Sequence, residues 1–392
     1  MSVRTVAGFE LYAADLPFRI GFKHSAAERK RSESLFLRCL LDDGTTGWGE
    51  SLPRAYVTGE SRDSAFDLLA GDILPALIGR SFGGVPEVEQ FLAECDGRAP
   101  AGLVSRTTPQ SAAWCPVDLA LLDAFSRASG VPPFAGEAKA FPANLSFSGV
   151  LSAERGVKRT LLLIAHRLQG FRAIKVKIGP ETGARELAFI RRWLGSNVDL
   201  RVDANMGLTV EQALAKMPEL ARFGVRSFEE PIAARDLDGQ ARLVAETGLG
   251  VMADESFSTR ESLTTLVDRH AATAVNARIS KCGGLVATLA RCREALASGL
   301  TVQIGCQVGE SSLLSAAQLR LVAAVGDVRY VEGCFGTLLL EDDPGHPMLR
   351  FGRHGRPPAA PGGPGLGVDI DPGLVARHSA RRIAIGERIA PS

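Results

Sequence analysis

The sequence predicts an α/β protein: a (β/α)8-type barrel, of a modified TIM-like kind, that follows an α+β N-terminal domain. From about residue 131 onward, short apolar strands alternate with amphipathic helices, which is the pattern of a parallel sheet. Polar residues end these strands every 25–27 residues, and an earlier strand is predicted at residues 143–149. The strand-end residues are Lys177, Asp203, Glu229, Asp254, Lys281, Cys306 and Glu332. Eight evenly spaced units predict a closed barrel, because the alternative open sheet usually carries a GxGxxG turn that follows no strand here.

The N-terminal part of the chain reads as strands followed by helices. Two apolar runs joined by Asp43-Gly44 predict a β-hairpin, and residues 61–130 have helical spacing. Gly130 and the two prolines that follow it predict the end of the last helix, so we place an α+β domain at 1–130 and the barrel at 131–345. Residues 346–392 form the remaining segment. Within it, the alternation at 365–371 predicts a strand that packs back on the N-terminal domain, although the composition equally fits a flexible linker.

The composition is that of an ordinary globular protein without a broad charge bias. Hydrophobic residues make up 45% and charged residues 23% of the 392 residues, and the net charge is +1. This balance argues against nucleic acid and membrane surfaces as partners and favours a small acidic ligand held by a local site. The sequence shows no signal peptide, no membrane-spanning run and no CxxC pair among its seven cysteines, so we expect a cytoplasmic protein with reduced thiols.

Three carboxylates end successive strands of the predicted barrel: Asp203, Glu229 and Asp254. At the C-terminal ends of barrel strands they would converge and repel one another unless a cation neutralises them. Oxygen ligands without Cys or His favour a hard ion, so we predict Mg²⁺, with Mn²⁺ as a substitute. Any one such acid could instead cap the following helix, but three at one spacing favour the metal site.

Lysines flank these carboxylate-bearing strands. Lys175 and Lys177 lie two apart on one strand, so they point to the same face, and their like charges should lower each other's pKa. Lys281 is predicted to end the strand on the other side of the carboxylates. A substrate at the metal would then have a lysine on each face, which suits removal of a proton α to a carboxylate through an enediolate.

Several further polar residues are candidates for substrate binding or for orienting the metal ligands. Asn205 lies two residues beyond Asp203, and Glu255 neighbours Asp254 and should point away from it. Glu332 and Glu310 are candidate proton relays or substrate partners, and helix capping is an equal alternative for Glu310.

These motifs resemble the enolase superfamily, in particular its muconate-lactonizing (muconate cycloisomerase) subgroup. The likeness rests on KVK, DAN, EEP, ADES and KCGG in this order, together with GWGE at 47–50 and VDLALLDA at 117–124. It implies that Lys177 is the general base, Lys175 its neighbour, and Lys281 the acid or base on the opposite face. It also implies that Asp203, Glu229 and Asp254 hold Mg²⁺.

The resemblance further implies that the N-terminal domain caps the barrel and selects the substrate. The candidate capping loops, 18–29 and 53–61, offer His24, Arg54 and Tyr56 as substrate contacts. The family also implies a homo-oligomer.

The chain departs from the family where substrates are distinguished. Dipeptide epimerases of the subgroup hold the substrate amine with a DxD pair, whereas this chain has Glu332-Gly333-Cys334. The leading hypothesis is therefore a muconate cycloisomerase-like isomerase or lyase. Three alternatives remain: a racemase or epimerase of an amino-acid derivative, an o-succinylbenzoate synthase-like dehydratase, and a non-catalytic barrel used for binding.

Overall fold

The structure, a computed structural model, describes residues 2–24, 27–137, 140–142, 145–152 and 156–387. The N-terminal part contains six strands and four helices. They are β1 (Arg4–Ala14), β2 (Pro17–His24), β3 (Ala27–Arg31), β4 (Ser34–Leu41), β5 (Thr46–Ser51), α1 (Ala55–Thr58), α2 (Arg62–Leu68), β6 (Ser81–Phe82), α3 (Val85–Cys95) and α4 (Ser111–Ser129). The predicted hairpin at Asp43-Gly44 joins β4 to β5, and Gly44 has the left-handed φ of +85° that this turn requires.

Two glycines allow helix α4 to lie directly on strand β5. A Cβ atom on Gly47 would come within 2.1 Å of the Ala124 nitrogen, and one on Gly49 within 1.9 Å of the Pro116 carbonyl oxygen. The alternating glycines of the GWGE motif therefore face α4, whose residues Ala112–Ser126 are buried without interruption. This close packing fixes the position of Glu50, which points toward the barrel.

The barrel consists of eight parallel strands in the order in which they occur in the chain. Its elements are β7 (Gly149–Leu151), α5 (Gly156–Gln169), β8 (Ala173–Lys177), α6 (Ala184–Leu194), β9 (Asp199–Asp203), α7 (Val210–Ala221), β10 (Val225–Glu229), α8 (Leu237–Thr247), β11 (Gly250–Ala253), α9 (Arg260–Asp268), β12 (Ala274–Ala277), α10 (Ile279–Cys282), α11 (Leu285–Ala297), β13 (Thr301–Ile304), α12 (Ser312–Val325) and β14 (Tyr330–Val331). A parallel bridge between Phe147 and Val331 connects the two ends of this sheet.

The predicted barrel is confirmed, with three local differences. Strand β14 is followed by a single 3-10 turn at Gly336–Leu338, so within the described residues the eighth unit has no α-helix. Lys281 does not end a strand: β12 stops at Ala277 and Lys281 lies in the short helix α10. The first strand begins at Gly149, where the predicted strand 143–149 was expected to end.

The C-terminal segment adds β15 (Gly345–His346), β16 (Asp369–Ile370), α13 (Pro372–Arg377) and β17 (Ser379–Gly386). The residues predicted to form the returning strand, 365–371, contribute β16, which pairs with β15. The same residues contact the N-terminal domain, because the backbone N–H groups of Gly365 and Leu366 donate to the Ser126 hydroxyl and the Asp123 carboxylate of α4. Strand β17 also joins this domain, antiparallel to β1, in the sheet order β17-β1-β4-β5. The domain limits at 130 and 345 remain predictions.

All seven cysteines are free thiols, and six of them are buried. None of the described helices is both long and apolar enough to cross a membrane.

Candidate active site

The three predicted metal ligands lie side by side where adjacent strands end. Asp203 and Glu229 are the last residues of β9 and β10, and Asp254 follows β11 directly. The relative exposures of these three residues are 2%, 1% and 0%. Burying three carboxylates is costly unless cations neutralise them.

Two cationic side chains lie between these carboxylates. The Lys175 ammonium is 3.1 Å from a Glu229 oxygen and 3.5 Å from an Asp203 oxygen. The Arg278 guanidinium bonds Asp254 directly and lies 3.8 Å from Glu229. The carboxylates therefore form a continuous row that is cross-linked by a lysine and an arginine.

The donor set of this row has the chemistry of a hard-cation site, but its present arrangement is that of an ion-pair network. Among the described residues, no three His, Cys, Asp or Glu side chains stand close enough together to hold a metal ion. The Arg278 guanidinium fills the position beside Asp254, so a cation bound there would have to displace it. The three buried carboxylates fit Mg²⁺ or Mn²⁺ in type and charge.

The two candidate bases approach the carboxylate row from opposite sides. Lys177 ends β8, and its ammonium donates to the Asn205 side-chain oxygen at 2.7 Å and lies 3.8 Å from Asp203. Lys281 follows β12, is fully buried, and donates to the Asp254 carboxylate at 2.9 Å and to two backbone carbonyls. Strands β9, β10 and β11 lie between the two lysines.

The ionisation of these lysines differs from the sequence-based expectation. Burial would lower the pKa of Lys175, but the charges of Glu229, Glu332 and Asp203 outweigh burial and raise that pKa above its ordinary value. The expected depression of the Lys175 pKa by its like-charged neighbour is therefore wrong. Burial, in contrast, lowers the pKa of Lys281 to about 8.

Glu332 belongs to the same buried network. One of its carboxylate oxygens is 2.8 Å from the Lys175 ammonium, and the other accepts from the Arg201 guanidinium. Arg201 in turn lies 4.0 Å from the centre of the Tyr330 ring. Both oxygens of Glu332 are thus engaged with cations of the chain itself.

The acids that neighbour the predicted ligands have different surroundings. Glu230 accepts from the backbone N–H groups of Asp254 and Ser256, so it orients the end of the next strand. Glu255 is half-buried, and burial raises its pKa to about 8, with the nearby charge of Glu230 as the next cause.

Two polar side chains that the sequence pattern did not single out touch Glu229. The Asn276 amide donates to it at 2.9 Å, and the Gln303 amide does so at 3.4 Å. The available signal was one amide side chain in each of two short strands, AVNA in β12 and TVQI in β13.

Arg54, a predicted substrate contact, joins the N-terminal domain to the barrel. It is 2% exposed, and its guanidinium donates to the backbone carbonyls of Pro53, Ser32 and Val308. Val308 lies in the loop after β13, so the guanidinium connects that loop to the N-terminal sheet. Its contact with substrate remains a prediction.

Glu50 and Glu310 lie at the same junction. Glu50 accepts hydrogen bonds from the backbone and hydroxyl of Ser311, which is the N-cap of α12. Ser311 rather than Glu310 therefore caps that helix. Glu310 accepts from the Gln307 N–H at 2.6 Å, and burial raises the pKa of Glu310 to about 8.

Tyr56 and His24 are the other two predicted substrate contacts. Tyr56 is half-buried in α1, beside Arg54. His24 ends β2, but its side chain lies outside the described residues.

The buried carboxyl of Glu50 makes stability depend on pH. Burial raises its pKa to about 8, and the charges of Glu310 and Asp343 add to this effect. The pKa of Glu50 is higher in the folded than in the unfolded state. The contribution of Glu50 to the unfolding free energy is therefore complete below the unfolded-state pKa and is lost as the pH rises through about 8. We expect the unfolding free energy of wild type to fall relative to that of Glu50→Gln between pH 5 and 9, as measured by urea denaturation.

Glu246→Gln is the matched control for this prediction, since Glu246 is half-exposed on α8. Equal pH dependence of wild type and Glu50→Gln would show that Glu50 does not titrate in this way.

Comparisons with known proteins identify the family of this chain. Residues 162–374 match the family described as Enolase C-terminal domain-like. The N-succinyl-L-Arg/Lys racemase of Bacillus cereus is 24% identical, with 93% of this chain and 95% of the racemase aligned. A hydrophobic dipeptide epimerase of Citrifermentans bemidjiense is 30% identical over 90% of this chain and 93% of the epimerase. Muconate cycloisomerase 1 of Rhodococcus opacus is 26% identical over 95% and 97% of the two chains.

Solved structures show the same fold. A dipeptide epimerase from Cytophaga hutchinsonii, crystallised with Mg and the dipeptide D-Ala-L-Val, superposes with a TM-score of 0.84. Its sequence is 22% identical, and the superposition covers 97% of this chain and 100% of that one.

Proposed function

Because the chain belongs to the enolase C-terminal domain-like family, we propose that it is a racemase or epimerase that removes and returns the proton α to a substrate carboxylate. The observation that carries this proposal is the position of Lys177 and Lys281 on opposite sides of the carboxylate row. Racemisation needs a proton to leave one face of the α-carbon and return on the other, so it needs a base on each side.

We further propose that Asp203, Glu229 and Asp254 hold Mg²⁺ or Mn²⁺. A divalent cation bound there would offset the negative charge that develops on the substrate carboxylate when the α-proton leaves. Lys175 keeps a permanent positive charge beside Glu229 and Asp203, and it therefore supports the same negative charge without exchanging protons itself. Asn205 orients the Lys177 ammonium through their 2.7 Å hydrogen bond.

The contacts of Glu332 favour a substrate whose amino group is acylated. A free α-ammonium needs a carboxylate partner, but both oxygens of Glu332 are already bound to Lys175 and Arg201. An N-acyl amino acid has a neutral nitrogen and makes no such demand. The proposed substrate class is therefore N-acylated amino acids, and dipeptides with a free amine are disfavoured.

Cycloisomerisation of a muconate-like diacid is the second candidate. Lys281 is held by three hydrogen-bond acceptors, which suits a fixed charge opposite a single base. A dehydratase of the o-succinylbenzoate synthase kind would also use one base.

One experiment distinguishes these functions. The purified enzyme with Mg²⁺ is incubated in deuterated water with N-succinyl-arginine, N-succinyl-lysine or cis,cis-muconate, and the products are followed by NMR and chiral chromatography. The proposal predicts deuterium at the α-carbon together with the opposite enantiomer of an N-succinyl amino acid. Lactone formation without stereoisomers would favour the cycloisomerase.

The capping loops should set specificity while the barrel performs the chemistry. We expect Tyr56→Leu to change the ratio of kcat/KM between two N-acyl substrates by about tenfold, because one lost pocket contact is worth roughly 1–3 kcal/mol. Mg²⁺ affinity, measured by calorimetry, should stay unchanged. Phe189→Leu, at an exposed position on an outer helix of the barrel, is the control. An unchanged ratio in Tyr56→Leu would place the specificity elsewhere.

We propose a cytoplasmic location, which the seven free thiols support. We also propose a homo-oligomer, supported by an apolar stripe on the outer face of α5. Its four side chains are 36–76% exposed: Val157, Leu161, Ile164 and Leu168. Light scattering of the purified protein tests the oligomer.

A further inference from the structure

A cavity of about 530 Å³ lies at the end of the barrel opposite the candidate active site. Its walls come from the ends of α6 and α7, the beginnings of β9 and β10, and the residue before β14. Asp199 begins β9 and Asp203 ends it, so the cavity lies about 13 Å along the strand from the carboxylate row. This volume is in the range of cavities that hold small organic ligands.

Four arginines line the cavity, and among its described lining residues a single carboxylate, that of Asp199, opposes them. The Arg329 guanidinium is 3.2 Å from this carboxylate, which also accepts from the Tyr330 hydroxyl. Asp199 can neutralise only one of the four positive charges. The cavity thus has a local excess of positive charge in a protein whose net charge is +1.

The Arg191 guanidinium hydrogen-bonds neutral backbone groups rather than a carboxylate. It donates to the backbone carbonyls of Phe223, Gly195, Val198 and Gly224, all of which are neutral. Burial lowers the pKa of Arg191, and Arg226 adds to that effect against the opposing charge of Asp199. The hydrogen bonds to neutral carbonyls therefore leave the positive charge of Arg191 at the cavity wall.

Arg222 and Arg226 supply the exposed side of the cavity. Both are exposed, and no ion pair is found for either within the described part of the chain. Arg222 follows α7 and Arg226 lies in β10, so their side chains reach the cavity from adjacent segments. Guanidinium groups bind phosphate and carboxylate oxygens in pairs, and a cavity with several such groups suits a ligand with more than one anionic group.

We propose that this cavity binds a small polyanion that carries two or more phosphate or carboxylate groups. The site is separate from the candidate active site and does not depend on the proposed reaction. Arg222 and Arg226 bind the ligand, and Arg191 supplies positive charge behind it, while Arg329 is paired with Asp199.

Calorimetry with two probes tests the proposal. Pyrophosphate represents a phosphate ligand and citrate a carboxylate ligand, and both are titrated into protein free of divalent ions so that chelation plays no part. We expect one or both to bind more tightly than about 1 mM at low ionic strength, and affinity should fall as salt is added. The probe that binds more tightly assigns the ligand to phosphates or carboxylates.

The double variant Arg222→Gln/Arg226→Gln should weaken binding by about tenfold or more, because it removes the two exposed guanidiniums. The control Arg106→Gln/Arg235→Gln removes two exposed arginines elsewhere and should bind as wild type does. Thermal unfolding confirms that each variant is folded. Failure of both probes to bind more tightly than about 1 mM at low ionic strength, or equal binding by wild type and the Arg222/Arg226 variant, would overturn the proposal.

Discussion

Lys177→Ala is expected to abolish exchange of the substrate α-proton with solvent deuterium. Lys177 is the base that ends β8, and Asn205 orients its ammonium. Removing a positioned general base costs about 10²–10⁴-fold in rate. The measurement is deuterium incorporation by NMR, with N-succinyl-arginine and N-succinyl-lysine as the first substrates.

Lys281→Ala separates the candidate functions. In a racemase this variant should still exchange the α-proton of one enantiomer through Lys177, while interconversion of the enantiomers is lost. In a cycloisomerase this variant should lose ring closure. Neither the wild-type cycloisomerase nor the variant should form a stereoisomer of the substrate.

Lys281 is buried, so Lys281→Met provides a second variant that keeps the apolar stem of the side chain. Lys216→Ala, on the outer helix α7, is the control. Turnover that persists in Lys177→Ala would refute the assignment of the base under either function.

The second large effect is expected on removal of the metal. Chelation should abolish turnover, and Mg²⁺ or Mn²⁺ should restore it. Asp203→Asn and Asp254→Asn each remove one negative charge from the site, and a charge about 4 Å from an ion is worth on the order of 4 kcal/mol near a protein surface. Each variant should therefore bind Mg²⁺ at least tenfold more weakly, as measured by calorimetry.

The control for the metal ligands is Asp238→Asn, an exposed carboxylate that pairs with Arg269. Full activity after thorough chelation would contradict the metal hypothesis. The contact between Arg278 and Asp254 adds a further expectation: Arg278→Met should bind Mg²⁺ more tightly than wild type, because a competing cation is gone.

Local pattern in the sequence determined the barrel and the order of its functional residues. The regular spacing of strand ends is a property of the chain itself, since each βα unit needs nearly the same number of residues to cross the sheet and return. It correctly placed Lys177, Asp203 and Glu229 as the last residues of their strands. The types of these residues were enough to indicate carboxylate chemistry.

Contacts between distant segments were decided only by the tertiary structure. Lys175 is surrounded by Glu229 and Glu332, which lie 54 and 157 positions away in the chain, and these acids reverse the expected direction of its pKa shift. Lys281 was predicted to end a strand but lies in α10, because β12 ends earlier than its apolar pattern suggests. No local period encodes such neighbours, since they depend on which strands the closed barrel places side by side.

The junction between the N-terminal domain and the barrel also separates what the sequence pattern predicted from what the tertiary structure decided. The sequence identified Arg54 as a polar residue in a capping loop. In the structure its guanidinium is buried and donates to three backbone carbonyls. The sequence also showed the alternation at 365–371. It did not show that β17 pairs with β1 and so extends the N-terminal sheet. Apolar and polar periodicity reports which face of an element is buried, and only the packed structure decides what that face is buried against.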